Sequence, residues 1–292
     1  MPARRMVGWS MHERAVVVGG GSHVGVRTGG VTDVPDPVVL VPGAGCSGDA
    51  FHVDLVDALA ARRHVVVVDP RDTGRSTTTT GDTPEYALPD LADDLTAVLR
   101  AVLRPGERAH VVGVSTGGSL GQVVALDHPD LVASLTLVSA TPGVPGLEAP
   151  DLPGPTAALS AASGLPDPDW ADDDAVVDWM VEVERPYRPT VFDEDDVRAT
   201  ARATVDRSTD PSAAAHHYAA APGPPWRHRL GDLRVPVTIV HGDDDPFFPL
   251  AHAHALAAEI PGARLVVLPG SGHGVPVRRH WPAFVALVAG EA

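Results

Sequence analysis

The chain has 292 residues, of which 44% are hydrophobic and 21% are charged, and its formal net charge is −16. This composition is typical of a globular protein with one large domain, or one domain with an insertion, and excludes global disorder. The acidic excess argues against nucleic acid as a partner, because a phosphate backbone needs a basic surface.

The single cysteine and the distribution of apolar residues narrow the class further. Cys46 alone cannot build a disulfide framework or a multi-thiolate metal site. No apolar run reaches the roughly 18 residues of a membrane helix. The first 11 residues lack the apolar stretch of a secretory signal. We therefore expect a cytoplasmic protein that does not act in a membrane.

Apolar runs of strand length alternate with segments of helical periodicity along most of the chain. In chain order these are a hairpin (15–18 and 23–27, around three glycines), a strand (38–41), a helix (51–61), a strand (65–68), a helix (91–103), a strand (110–114), a helix (116–127) and a strand (135–139). The alternation resumes with strands at 235–240 and 264–268 and a helix at 282–289. Apolar strands separated by helices predict a mostly parallel sheet covered on both faces.

The interval from 142 to 230 differs from the rest of the chain. It is rich in Pro, Ala and Asp and contains no strand-like run. We expect residues 12–141 and 231–292 to form one α/β domain, and residues 142–230 to form a helical cap inserted over the sheet. Aromatic residues of the cap, among them Trp179, are candidates for binding an apolar substrate or for forming the cap's own core.

A glycine-rich turn connects a predicted strand to a predicted helix. Residues 113–117 read Gly-Val-Ser-Thr-Gly and match the G-x-S-x-G pattern of a nucleophile elbow in the required strand–turn–helix context. Glycines flank the serine because a side chain there would clash at so sharp a turn. The helix directs the positive end of its dipole at the site. Ser115 is the predicted nucleophile, and the amide of Thr116 is a predicted oxyanion donor.

A second glycine-rich turn ends the strand at 38–41 and reads Pro-Gly-Ala-Gly-Cys over 42–46. Backbone without large side chains can approach a substrate closely. The amide of Ala44, or that of Gly43, is therefore the predicted second oxyanion donor. We expect Gly43 and Cys46 to contact the substrate, although Cys46 also fits a buried structural thiol.

The candidate acid follows the strand predicted at 235–240. Residues 241–246 read His-Gly-Asp-Asp-Asp-Pro, so three adjacent carboxylates compete for the role. We choose Asp245, which precedes a proline in the pattern H-G-x-x-D-P-x-x-P, and expect Asp243 and Asp244 to be solvated loop residues. Phe247, two positions further on, is a predicted substrate contact.

The candidate base follows the last predicted strand. His273 lies between glycines in the sequence Gly-Ser-Gly-His-Gly, which places an unhindered imidazole on a loop. None of the other histidine pairs has the spacing of a zinc site, so we expect no metal. The order serine, aspartate, histidine along the chain differs from the orders of chymotrypsin and subtilisin.

Together these motifs resemble the α/β-hydrolase superfamily over nearly the whole chain outside the cap. Residues 69–78 (Asp-Pro-Arg-Asp-Thr-Gly-Arg-Ser-Thr-Thr), 110–113 and 122–128 are similar to the aclacinomycin methylesterase group, which hydrolyses a methyl ester on a polyketide anthracycline. The resemblance implies an α/β-hydrolase fold, with a mostly parallel central sheet, helices on both faces and an inserted helical cap. It also implies a triad of Ser115, Asp245 and His273.

The implied function is hydrolysis of a carboxylic ester, as a methyl ester or lactone of a small or polyketide-like metabolite, through an acyl-enzyme. The expected partner is a small-molecule ester, and no cofactor is expected. Other reactions remain open on the same fold, namely those of lactonases, C–C hydrolases, peptidases, perhydrolases and non-hydrolytic cyclases. A ligand-binding protein with little turnover is a further alternative.

Overall fold

A computed structural model describes residues 11–81, 83–143, 148–162 and 164–291. Within these ranges eight strands form one sheet in the order β1-β2-β4-β3-β5-β6-β7-β8. The strands are β1 (His12–Val17), β2 (His23–Gly30), β3 (Val38–Val41), β4 (His64–Asp69), β5 (Ala109–Val114), β6 (Val132–Val138), β7 (Val237–Gly242) and β8 (Arg264–Leu268). Strand β2 pairs antiparallel with β1 and β4, and the remaining pairings are parallel. The predicted mostly parallel sheet is confirmed.

Helices cover both faces of the sheet. The described helices are α1 (Val53–Ala60), α2 (Leu88–Val102), α3 (Thr116–Asp127), α4 (Ala157–Ala162), α5 (Asp173–Glu184), α6 (Glu194–Arg207), α7 (His216–Ala219), α8 (Ala251–Glu259) and α9 (Trp281–Ala289). Buried residues of α1 and α9 form one apolar cluster, and those of α2, α3 and α8 form the other. No helix in the described ranges is long and apolar enough to cross a membrane. The first ten residues, which the prediction of no secretory signal concerns, lie outside these ranges.

The central strands are mostly apolar, and β3 is apolar at every position, because both of their faces are buried. In β3, Val38 and Leu40 belong to the cluster of α1 and α9, whereas Val39 and Val41 belong to the opposite cluster. This alternation follows from the two-residue period of a strand. Each fully buried side chain of this kind contributes roughly 1.5–3 kcal/mol of transfer free energy.

Some predicted helix starts shift for local reasons. The helix predicted at 51–61 begins at Val53, because the His52 ring accepts a hydrogen bond from the Asp54 amide and caps it. The helix predicted at 91–103 begins at Leu88, where the Asp90 carboxylate accepts the Ala87 amide at 2.8 Å. Polar capping residues do not contribute to apolar periodicity, so the sequence pattern misses the first turn of α2, whereas the apolar Phe51 extends the pattern beyond the start of α1.

Between β6 and β7 the described residues contain helices and no strand. Helices α5 and α6 form a small apolar cluster of their own, lined by Val176, Val177, Ala201 and Val205. Trp226, near the end of the 142–230 interval, instead belongs to the cluster of α2, α3 and α8. The last part of that interval therefore packs against the sheet domain.

Candidate active site

Ser115 lies at the turn from β5 into α3 with a strained backbone. Its φ is 51° and its ψ is −115°, a conformation that side chains larger than glycine rarely adopt. A Cβ at Gly113 would overlap the carbonyl oxygen of Gly117, and one at Gly117 would overlap that of Val41. The hydroxyl of Ser115 does not cap the helix that it begins. The hydroxyl is therefore not used to stabilise the helix and remains available for other contacts.

The turn after β3 lies against this serine. A Cβ placed on Gly43 would lie 3.3 Å from the Cβ of Ser115. The amide of Gly45 donates to a ring nitrogen of His217, and that of Cys46 donates to the carbonyl of Gly43. The amide of Ala44 has no such partner among the described residues. The amide of Thr116 is the first of α3 and has no acceptor within its own helix.

Asp245 and His273 meet beyond the ends of β7 and β8. The Nδ1 of His273 lies 2.9 Å from Oδ2 and 3.1 Å from Oδ1 of Asp245. Oδ1 also accepts the backbone N–H groups of Phe247 and Phe248. Burial alone would raise the pKa of Asp245, but the charge and hydrogen bond of His273 outweigh it, and the pKa lies below its ordinary value. An ionised carboxylate keeps the proton on Nδ1 and leaves Nε2 free as a base.

The two neighbouring carboxylates have other partners. The Asp243 carboxylate accepts the amide of Gly270 at 2.6 Å, and the Asp244 carboxylate accepts the hydroxyl of Thr190. Both side chains therefore hold loops around the site, and Asp245 alone of the three bonds to His273.

Two contacts that the sequence did not indicate hold the loop of His273. The amide of His273 donates to the carbonyl of Tyr187 at 2.8 Å. The amide of Gly274 donates to the hydroxyl of Ser139 at 3.1 Å, and Ser139 has a φ of 46° just after β6. The ring of Phe247 lies 5.0 Å from that of His273, edge to face. Phe247 thus lies beside the candidate base, as a substrate contact requires.

Tyr218 and Cys46 lie close to the turn after β3 or within it. Tyr218 is exposed, and its hydroxyl lies 3.2 Å from the carbonyl oxygen of Ala44. Burial, and next the charge of Glu184, raise the pKa of Cys46 to about 12 against the opposing charge of Arg188. The thiol therefore stays protonated and is no nucleophile.

Trp179 lies on α5, in the cap. Its ring contacts that of Trp170 at 5.4 Å, and its buried indole Nε1 has no hydrogen-bond partner among the described residues. Its described ring contact is thus within the cap and not with the candidate triad.

His217 on α7 bonds to the candidate oxyanion turn, which no sequence pattern indicated. Its Nδ1 accepts the amide of Gly45 at 2.9 Å, and its Nε2 lies 2.7 Å from the carbonyl of Arg71. The neighbouring His216 points elsewhere, with its Nδ1 3.0 Å from the carboxylate of Asp72. The side chains of these two adjacent residues diverge, and His217 reaches the candidate oxyanion turn.

Comparisons with known proteins show the family of the chain. Residues 36–277 match the family described as alpha/beta hydrolase fold. The chain is 31% identical over 278 residues to a rhodomycin D methylesterase of Streptomyces sp. (strain C5), covering 89% of this chain and 92% of the relative. It is 29% identical over 282 residues to the rhodomycin D methylesterase of Streptomyces peucetius, with the same coverage of each chain.

Solved structures show the same fold. The esterase RhEst1 from Rhodococcus sp. ECU1013 superposes with a TM-score of 0.73 at 23% identity, over 96% of this chain and 99% of the other. The structure of E-2-(acetamidomethylene)succinate hydrolase gives a TM-score of 0.71 at 25% identity, over 96% of this chain and 98% of the other.

Proposed function

Because the chain belongs to the alpha/beta hydrolase fold family, we propose that it is a serine hydrolase of a carboxylic ester, with Ser115, Asp245 and His273 as its triad. The observations that carry the proposal are the pair of hydrogen bonds between Asp245 and His273, whose loops follow β7 and β8, and the strained turn after β5 of the same sheet, which leaves the hydroxyl of Ser115 uncapped. The substrate class is a methyl ester or lactone of a small or polyketide-like metabolite. The methylesterase relatives and the aromatic rings around the site, such as Phe247, support it.

The chemistry follows from these positions. Nε2 of His273 takes the hydroxyl proton as the oxygen of Ser115 attacks the ester carbonyl, and Asp245 stabilises the imidazolium. The amides of Ala44 and Thr116 bind the oxyanion, where one such donor is worth roughly 3–4 kcal/mol in the transition state. His273 then protonates the departing alkoxide. A water molecule, deprotonated by the same nitrogen, releases the acid from the acyl-enzyme and restores the serine.

The proposed substrate contacts are Gly43, Cys46, Phe247 and Trp179. Gly43 lies against the proposed nucleophile, and Cys46 follows in the same turn as a neutral thiol. Phe247 offers a ring face beside the base. We retain Trp179 as a proposed substrate contact; its buried indole N–H has no hydrogen-bond partner among the described residues.

Labelling with a fluorophosphonate tests the nucleophile without knowledge of the substrate. The wild type should gain one adduct by intact mass, and Ser115→Ala should gain none. Ser160→Ala removes an exposed serine of α4 and should label like the wild type. An adduct on Ser115→Ala, or none on the wild type, would contradict the assignment.

Turnover then separates the ester classes. Methyl 2-naphthoate offers a planar aromatic methyl ester, and dihydrocoumarin offers an aromatic lactone. Hydrolysis in ¹⁸O-labelled water should place the label in the acid product of whichever is accepted. Failure of the wild type to hydrolyse any ester despite serine labelling would favour a reaction of another type.

A further inference from the structure

One peptide unit of the oxyanion turn is held at both ends by two adjacent residues of the cap. The N–H of Gly45 donates to Nδ1 of His217 at 2.9 Å. The hydroxyl of Tyr218 donates to the carbonyl of Ala44 at 3.2 Å. These N–H and C=O groups belong to the same peptide bond, and α7 supplies both partners. The turn after β3 therefore does not set its own conformation alone.

The protonation state of His217 is fixed by its two partners. The carbonyl of Arg71 can only accept, so Nε2 carries the proton, and the amide of Gly45 can only donate, so Nδ1 carries a lone pair. Burial lowers the pKa of His217, although the carbonyl of Arg71 and the charge of Asp72 oppose this effect. The ring is therefore neutral at neutral pH and keeps its acceptor for Gly45.

The turn is also shaped to receive Tyr218. Gly45 has a φ of 70°, and a Cβ at this position would lie 2.9 Å from the Tyr218 hydroxyl oxygen. A larger residue would be strained in the backbone and would displace the ring. Both the conformation of Gly45 and its missing side chain thus fit the contact with α7.

We propose that His217 and Tyr218 are positioning residues of the oxyanion hole, which hold the Ala44–Gly45 peptide so that the amide of Ala44 points at the tetrahedral oxyanion. The amide of Ala44 and the Ala44–Gly45 peptide are joined through the Cα of Ala44. A rotation of that peptide therefore changes the direction in which the amide of Ala44 points. The inference rests on the proposed function, in which Ser115 attacks an ester and Ala44 supplies one oxyanion donor. Under this proposal, catalysis as well as substrate binding requires the contacts of α7 with the turn after β3.

Two substitutions separate the two hydrogen bonds of His217. The Oδ1 of His217→Asn occupies the place of Nδ1 and keeps an acceptor for Gly45. The Nε2 of His217→Gln occupies the place of the imidazole Nε2 and keeps the donor to Arg71. Each variant loses one buried hydrogen bond, so a purely structural role predicts equal losses of activity and of Tm. A positioning role predicts that only the glutamine variant loses rate.

The measurements are the second-order rate of fluorophosphonate labelling, and kcat and KM for p-nitrophenyl acetate. Because removing an oxyanion donor costs about 10²–10³-fold and a misplaced one somewhat less, we expect His217→Gln to lower kcat about 10–100-fold with little change in KM. His217→Asn should stay within about threefold of the wild type. His254→Gln changes an exposed histidine of α8 and should leave both rates unchanged.

Tyr218→Phe keeps the ring and removes the second hydrogen bond, and it carries the test should the glutamine variant fail to fold. It should lower kcat about 3–10-fold at an unchanged Tm. Equal losses in the asparagine and glutamine variants, or wild-type kcat in both His217→Gln and Tyr218→Phe, would overturn the inference. Ser115→Ala reports separately on the proposed function. If it is inactive while the His217 variants are fully active, only the positioning role fails.

Discussion

Asp245→Asn should inactivate the protein because it moves the imidazole proton of His273, the proposed base, from Nδ1 to Nε2. In the wild type, Oδ1 of Asp245 accepts the amides of Phe247 and Phe248 at 2.9 and 2.8 Å. The asparagine must keep its oxygen at that position, because an NH₂ group there would face two N–H donors. Its NH₂ group then faces Nδ1 of His273, which must become an acceptor. The imidazole proton moves to Nε2, where it blocks proton transfer from Ser115.

The magnitude follows from that tautomer. In serine proteases that carry the same three residues, the aspartate-to-asparagine change lowers kcat by about 10⁴, or roughly 5.5 kcal/mol of barrier. Here the two backbone amides fix the orientation of the carboxamide, so rotation of the side chain cannot rescue the base. The negative charge that stabilises the imidazolium is also lost. We therefore expect kcat to fall by about 10³–10⁴-fold with little change in KM.

The assay is the hydrolysis of p-nitrophenyl acetate, with Tm as the measure of folding. Asp243→Asn and Asp244→Asn are matched controls in the same loop, since their carboxylates bond to Gly270 and Thr190 instead of the base. Each control should keep kcat within about tenfold of the wild type. An Asp245→Asn protein with more than about a tenth of wild-type kcat, or an Asp243→Asn protein equally impaired, would refute the reasoning.

Three further predictions concern the scaffold. Burial lowers the pKa of His110 to about 4, so protons bind the unfolded chain first as pH falls from about 6.5 towards 4, and stability drops over that window. The loss in urea-unfolding free energy from about pH 7.5 to 5 should be smaller in His110→Gln by at most about 2 kcal/mol, and equal losses would contradict this. Gly113→Ala forces a Cβ onto the carbonyl of Gly117 and should abolish fluorophosphonate labelling; wild-type labelling would refute the role of that contact. Arg207→Gln leaves the buried Asp69 without its arginine partner and Asp49 with Arg27 alone, and should cost about 3 kcal/mol in urea unfolding, whereas a loss below about 1 kcal/mol would contradict it.

The parts of this molecule that the sequence predicts are those in which the signal is local. Residues 113–117 contain the end of the strand, the sharp turn and the start of the helix. The glycines are needed there because a Cβ at Gly113 or Gly117 would overlap a backbone carbonyl oxygen. The central strands are predicted equally well, because burial on both faces makes most of their positions apolar. The pattern H-G-x-x-D-P-x-x-P favours Asp245 among the three adjacent carboxylates. In the structure each of the three has a different partner, and that of Asp245 is His273.

The contacts that the sequence does not reveal are made over long separations or by the backbone. His217 bonds to Gly45 across 172 positions of the chain, and adjacent histidines on a short helix have no periodicity that would indicate it. The carbonyl of Tyr187 accepts the amide of His273, but every residue has a carbonyl, so residue type carries no signal. Trp226 resembles the other cap aromatics in sequence and differs only in what it packs against.

These contacts have one feature in common, which is that they come from the interval 142–230, whose described residues form no strand and whose sequence has no motif. The carbonyl of Tyr187 accepts the amide of the candidate base, and His217 and Tyr218 bond to the candidate oxyanion turn. In the proposed function the sheet domain supplies the reacting groups, while this interval contacts the two loops on which their alignment depends. A change in the interval that admits a different ester also acts on those loops. The proposed function therefore predicts that substrate preference and catalytic geometry are coupled, and that substitutions in this interval alter kcat as well as KM.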